Sequence, residues 1–149
     1  MSVEDDELQE MVLEEARKIY SETVIDHFMH PRNLGVLPDD NGYAKITGPC
    51  GDTMEIWLRL RQSTITKAHF RTDGCGTSIA SASMVTVLSI GKTLSEAQQI
   101  SQQSVLEALN GLPEDSQHCA LLAANTLKAA IQNYLAMQRE PWKKNYRKR

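Results

Sequence analysis

The sequence has no apolar run approaching the ~18 residues that a membrane span needs, and its first fifteen residues contain no lysine or arginine. The first absence argues against a spanning helix and a membrane partner. The second is the opposite of the basic start of a secretory signal or of an arginine-rich transit peptide. Low-complexity, collagen-like and mucin-like stretches are also missing. Cysteine is scarce, at 3 residues in 149, an odd number that cannot all pair. The expectation is a cytoplasmic protein in reducing surroundings. A structural disulfide is not expected there, and cysteines beside glycine point to metal or thiol chemistry.

What is present is ordinary in bulk. With 41% hydrophobic and 23% charged residues, the chain reads as one globular domain large enough for a core. The net charge of -3 hides an asymmetry. Glu4, Asp5, Asp6, Glu7, Glu10, Glu14 and Glu15 crowd the start, and the end reads WKKNYRKR. The expected organisation is an acidic, solvated or weakly helical extension over 1–15, one domain over 16–141, and a basic tail over 142–149. No binding motif or aromatic-interleaved basic patch accompanies the tail, so nucleic acid is not an expected partner.

Periodicity sets the elements. Leu13, Ala16, Ile19, Tyr20, Thr23, Val24, Ile25 and Phe28 recur at helical spacing up to Pro31, which predicts one amphipathic opening helix. Residues 30–42, HPRNLGVLPDDNG, read as loop. Met54, Ile56, Leu58 and Leu60 alternate with Glu55, Trp57, Arg59 and Arg61, the period of a strand with one buried face. ITKAHFRT reads as its antiparallel neighbour across a QST turn, and YAKIT as a shorter third strand. Helices follow: SIASASMVTVLSIG, apolar or small nearly all round and ending at Gly91; TLSE, a capping box of Thr93 with Glu96; SVLEALNG; and a last helix from Asp115 or Ser116 to Pro141. The predicted class is α+β: a three-stranded antiparallel sheet with an N-terminal helix and a helical C-terminal half packed on one face.

The cysteines fall at element ends: Cys50 in a strand-strand loop, Cys75 where a strand enters a helix, Cys119 in the first turn of a helix. Pro49, Gly51, Gly74 and Gly76 remove bulk beside Cys50 and Cys75, leaving room for something larger than a proton. Amides at helix N-termini predict depressed thiol pKa values for Cys75 and Cys119 where those ends are free. Asp52, in CGD, and His118, beside Cys119, add a carboxylate and an imidazole. Taken singly, each cysteine reads as readily as a small buried hydrophobe. The three together, each with glycine or histidine alongside, point to a site of Cys50, Asp52, Cys75, His118 and Cys119. His27, His30 and His69 read as structural or solvent-facing. Two other chemistries fit the same residues. Zinc accepts three thiolates with a carboxylate or an imidazole. A nucleophilic cysteine is the weaker alternative, since His118 and Cys119 should point about 100° apart on a helix, a poor geometry for proton relay.

In their order, YSETVIDHFMHPRN, GPCGD, DGCGTSIASAS and HCALLAANTLKAAIQNY resemble the IscU/NifU-type iron-sulfur cluster assembly scaffold family, over nearly everything after the acidic start. The resemblance implies a scaffold, not an enzyme. A transient [2Fe-2S] cluster would be built from iron and from sulfur delivered by an IscS/NifS-type cysteine desulfurase, then passed to apo iron-sulfur proteins. It implies cluster ligands at Cys50, Cys75 and Cys119, each also a candidate sulfur acceptor, with Asp52 and His118 as exchangeable partners. Zinc in the cluster-free form, a ferredoxin or frataxin-like helper, and a homodimer are further expectations. Three thiolates with one harder ligand leave a weak corner, which suits a site that must release its cargo. The IscU branch carries a Leu-Pro-Pro-Val-Lys chaperone site where this chain reads LPEDS at Leu112 to Ser116. The resemblance therefore does not extend to a dedicated DnaK-type chaperone. His118 and the compact helical half argue against the SufU-like branch.

Overall fold

The computed structural model describes residues 3–140, with side chains described from residue 7. Two helices, α1 (Val3–Arg17) and α2 (Glu22–Met29), precede three strands, β1 (Gly42–Thr47), β2 (Thr53–Arg61) and β3 (Thr64–Thr72). Helices α3 (Gly76–Ser89), α4 (Leu94–Ala97), α5 (Gln102–Ala108) and α6 (Gln117–Arg139) follow, the last entered through a 3-10 turn at Glu114–Ser116. The strands form one antiparallel sheet in the order β1-β2-β3. The predicted α+β class is therefore the observed one. The basic tail at 142–149 lies outside the described residues.

Local chemistry explains most of these elements. The β2-β3 hairpin turns through Gln62 and Ser63, both at positive φ (53° and 62°), the primed geometry whose twist matches that of the paired strands. Thr93 and Glu96 form the predicted capping box, each side chain bonded to the other's backbone amide. On the inner face of the sheet Met54, Ile56, Leu58, Ile65 and Phe70 are fully buried against α3 and α6. Burial of such side chains contributes about 1.5–3 kcal/mol each. Ala80, Ser81, Ala82 and Ser83 on α3, and Ala120, Ala123 and Ala130 on α6, are equally buried. Their small side chains let the two helices lie close over the sheet.

Two expectations are corrected. The opening segment is not one helix. The chain turns at Lys18–Tyr20 and starts again at Ser21, whose hydroxyl accepts the Val24 amide (3.1 Å) and donates to the Leu109 carbonyl (2.5 Å). Serine competes for backbone partners and starts helices better than it continues them. Residues 3–17 are helical, with Leu8, Met11 and Val12 exposed and only Leu13 and Ala16 half-buried among the apolar ones.

The second correction concerns β2, which is buried on both faces through its middle. Trp57 is 1% and Glu55 7% exposed. Loop residue Leu37 and Tyr43 of β1 cover Trp57, with the Tyr43 and Trp57 rings 5.4 Å apart. Glu55 survives burial because the Tyr43 hydroxyl (2.6 Å) and Arg71 Nε (2.9 Å) donate to it. Desolvation pushes its pKa up, but the bonds from Tyr43 and Arg71 outweigh that and hold it below the usual range. His27 is buried as a structural residue, its Nδ1 2.7 Å from Ser83 Oγ, which also accepts the Arg32 amide.

Candidate metal centre

Three chain segments meet at one end of the sheet. The β1-β2 loop is closed by two backbone bonds, Gly48 N–H to Asp52 O (2.8 Å) and Gly51 N–H to Gly48 O (3.0 Å). Gly51 sits at φ +91°, where a side chain is strained. This tight turn carries Cys50 and Asp52. The ends of β2 and β3 are clamped by Asp73, whose carboxylate accepts the Thr53 amide at 2.7 Å, and Cys75 follows as the N-cap of α3. The first turn of α6 supplies His118 and Cys119, with Gln102 Nε2 donating to the Gln117 carbonyl.

All five residues singled out from the sequence arrive at this end. Cys50 Sγ lies 3.3 Å from His118 Nε2, which lies 3.7 Å from Cys119 Sγ. Asp52 and Cys75 join through two hydroxyls that the sequence reading missed. Thr77 Oγ1 is 3.1 Å from Cys75 Sγ and 3.4 Å from Cys119 Sγ. Ser78 Oγ lies within donating distance of both Asp52 Oδ2 (3.2 Å) and Cys119 Sγ (3.4 Å). Their signal was present: hydroxyl residues two and three places after an N-cap can fold back toward it. Cys50 and Cys75 are exposed, Cys119 is buried, and all three are free thiols. Among the described residues no three acidic, histidine or cysteine side chains stand in metal-ligating geometry round one point. The set is gathered by hydrogen bonds but not closed.

Three local expectations change. Cys75 behaves as predicted: the Thr77 hydroxyl, and then the Ser78 and Thr77 amides, hold its thiol below the usual range against desolvation. Cys119 does the opposite. Burial pushes its thiol up, outweighing the Ser78 and Thr77 hydroxyls, and the negative charges of Cys75 and Asp52 add to the rise.

The glycines beside Cys75 serve packing inside the protein as well as leaving room by the sulfur. A Cβ on Gly74 would stand 2.5 Å from Ser78 Oγ and 3.0 Å from Asp52 Oδ2, and one on Gly76 2.9 Å from the Phe28 ring. Finally, the His118 imidazole and the Cys119 sulfur come within 3.7 Å although the two residues are neighbours on the helix. An apolar cavity of about 320 Å³, lined by Leu13, Ala16, Val24, Phe28 and Met29, opens beside Cys75.

The donor set is chemically mixed: three sulfurs, one imidazole nitrogen and one carboxylate. Soft sulfur suits iron-sulfur centres and zinc alike, and the harder oxygen or nitrogen makes one corner weaker.

The fold and this set of residues define a class. The chain belongs to the NifU-like N terminal domain family, whose model matches residues 19–141. Among its relatives are iron-sulfur cluster assembly scaffold proteins named IscU. IscU 1 of Archaeoglobus fulgidus is 43% identical over 117 residues, covering 78% of this chain and 76% of that protein. The Aquifex aeolicus IscU is 40% identical, covering 80% and 78%. The Escherichia coli K12 IscU is 43% identical, covering 77% and 93%. Among solved structures, the N-terminal part of a NifU-like protein from Brucella abortus superposes with a TM-score of 0.65 at 20% identity, covering 79% of this chain and 95% of that one, a likeness of fold.

Proposed function

We propose that this chain is a scaffold, not a catalyst, on which iron and sulfur are assembled into a [2Fe-2S] cluster that is then handed to apo-proteins. One observation carries the reading. Cys50, Cys75 and Cys119, from three separate segments, converge with Asp52 and His118 in one hydrogen-bonded group at the edge of the fold. The naming of the relatives as cluster assembly scaffolds supports it. Residues 16–141 are the working domain in this reading.

The chemistry follows from the thiols. A cysteine desulfurase of the IscS/NifS type presents a persulfide. An acceptor thiolate attacks its outer sulfur, a new S–S bond forms on the scaffold, and the donor leaves as a thiolate. Cys75 is the proposed first acceptor, being exposed and held toward thiolate by Thr77 and the α3 amides. Two persulfide sulfurs need four electrons to become sulfide, and two ferrous ions supply two. A ferredoxin-type donor must bring the rest, and a frataxin-like helper fits the iron side of the step. Ligands to the assembled cargo would be Cys50, Cys75 and Cys119, with Asp52 or His118 completing the set.

Release is built into the same set. The fourth corner is oxygen or nitrogen where sulfur would bind more firmly, so an incoming thiolate displaces it most easily. Assembly in the cytoplasm, on a pair of chains, belongs to the same proposal. Among the described residues no helix is long and apolar enough to cross a membrane.

Zinc is the second reading for the cluster-free protein, since the Cys50 and Cys119 sulfurs both lie beside the His118 imidazole and this donor set is one that zinc accepts. Anaerobic reconstitution with ferrous iron, cysteine, a desulfurase and a thiol reductant that supplies the remaining two electrons separates the two. The scaffold reading predicts absorption and Mössbauer spectra of a [2Fe-2S] centre. A protein that keeps one zinc and takes up no iron or sulfide overturns it.

A further inference from the structure

We propose that Ser78 is a positioning residue for Asp52: its hydroxyl ties the carboxylate to the first turn of α3 and withholds that oxygen from the cargo until the tie opens. The inference rests on the scaffold reading above. A serine hydroxyl has one proton to give. Around Ser78 Oγ lie three acceptors, Asp52 Oδ2 at 3.2 Å, Cys119 Sγ at 3.4 Å and Cys75 Sγ at 4.0 Å. The carboxylate is the nearest and the strongest of the three, so the proton goes there.

The backbone is arranged around this tie. Gly74 leaves open the space in which Ser78 and Asp52 meet, since a Cβ at that position would overlap Ser78 Oγ and press on Asp52 Oδ2. Asp52 is also free to turn away without disturbing the sheet. The next residue, Thr53, begins β2 with its amide held by Asp73, and the Gly48 amide holds the Asp52 carbonyl and not its side chain. Opening the tie frees the Asp52 side chain by rotation and removes one restraint on the turn that the Gly48 and Gly51 amides close. A released Asp52 oxygen then offers iron a hard, weakly held ligand, and so speeds release.

Two arms test this. In the metal-free protein, amide hydrogen exchange at Gly48 and Gly51 reports how firmly the loop is held. Ser78→Ala should speed it by about 3- to 10-fold, the size of a hydrogen bond to a charged group after discounting for partial exposure. Asp52→Ala should match that change and the double variant should add nothing. Gly74→Ala should act like Ser78→Ala, whereas Thr77→Ala, which removes the hydroxyl between Cys75 and Cys119, should leave the loop as it was. In the second arm, cluster transfer to an apo-ferredoxin should be faster in Ser78→Ala, and the gain should vanish when Asp52 is already alanine.

Loop exchange unchanged by Ser78→Ala, or a transfer gain that persists in the Asp52→Ala background, overturns the tie. A wild-type chain that assembles no cluster overturns the scaffold reading instead, and the exchange arm still decides the tie.

Discussion

His118 Nε2 lies 3.3 Å from Cys50 Sγ, a residue 68 positions earlier in the chain. No local pattern links the two. They meet because the β1-β2 turn and the first turn of α6 are packed side by side over one end of the sheet, and the same imidazole also reaches Cys119. The His118 imidazole is thus within reach of both sulfurs.

Replacing any one cysteine by serine should abolish stable cluster assembly while the fold survives. A hydroxyl stays protonated and hard where a thiolate is needed. Cys119→Ser is the severest test of folding, since that sulfur is buried, but Thr77 and Ser78 are in place to bond the new hydroxyl. The measurement is iron and sulfide content beside far-ultraviolet circular dichroism. Full occupancy in two of the three variants contradicts the ligand set.

Alkylation of the metal-free protein should follow the two thiol environments. Cys75, exposed and favoured as thiolate, should react with iodoacetamide at neutral pH. Cys119, buried and pushed up, should be modified later and only at higher pH than Cys75. Peptide mass spectrometry against time and pH gives the order. Labelling of Cys119 before Cys75 contradicts the assignment.

These two thiols also mark where the sequence stops being legible. Strands β2 and β3, the Thr93–Glu96 capping box and the long last helix were readable because each depends on neighbours within a few residues. The convergence of the five site residues was readable only as a grouping of motifs. Whether the helix end at Cys119 is free was not legible, because its cover comes from α3, some forty residues away in sequence. Trp57 was misread for the same kind of reason: its cover, Leu37, sits in a loop that no strand period can reveal. Ser21 was a local signal overlooked because apolar spacing ran straight through it. Thr77 and Ser78 were visible as letters, but their role depends on where Asp52 and Cys119 arrive.

His27 should make the fold sensitive to mild acid. Burial lowers its pKa from the usual 6.5, so at pH values just below 6.5 the unfolded chain takes up a proton more readily than the folded one. Its contribution is therefore complete above the unfolded value and is lost as pH falls from there toward the folded value. Thermal unfolding should show midpoints falling as pH drops from 7.5 to 5.5, and a shallower fall in His27→Gln. Equal slopes in both proteins would remove His27 from the account.

Deleting residues 1–10 should be tolerated. The described side chains of α1 are mostly exposed, and the helix end nearest the site, with Leu13 and Ala16, remains. Thermal midpoint and cluster yield should both stay near those of the full chain. A collapse of either makes the opening segment part of the working structure.

Asp52→Ala should accept a cluster, hold it longer and transfer it more slowly, because the hard ligand that an incoming thiolate displaces is gone. Asp52→Asn keeps the turn propensity and loses the anion. Both variants releasing at the wild-type rate would limit Asp52 to shaping the turn.

The central claim is that the cluster is cargo. It is tested most directly by mixing the anaerobically reconstituted wild-type chain with an apo-ferredoxin and following circular dichroism at visible wavelengths. The account predicts that the scaffold-bound signal decays as the ferredoxin signal grows, with iron and sulfide conserved between the two. A cluster that stays on this chain while the ferredoxin remains empty contradicts it.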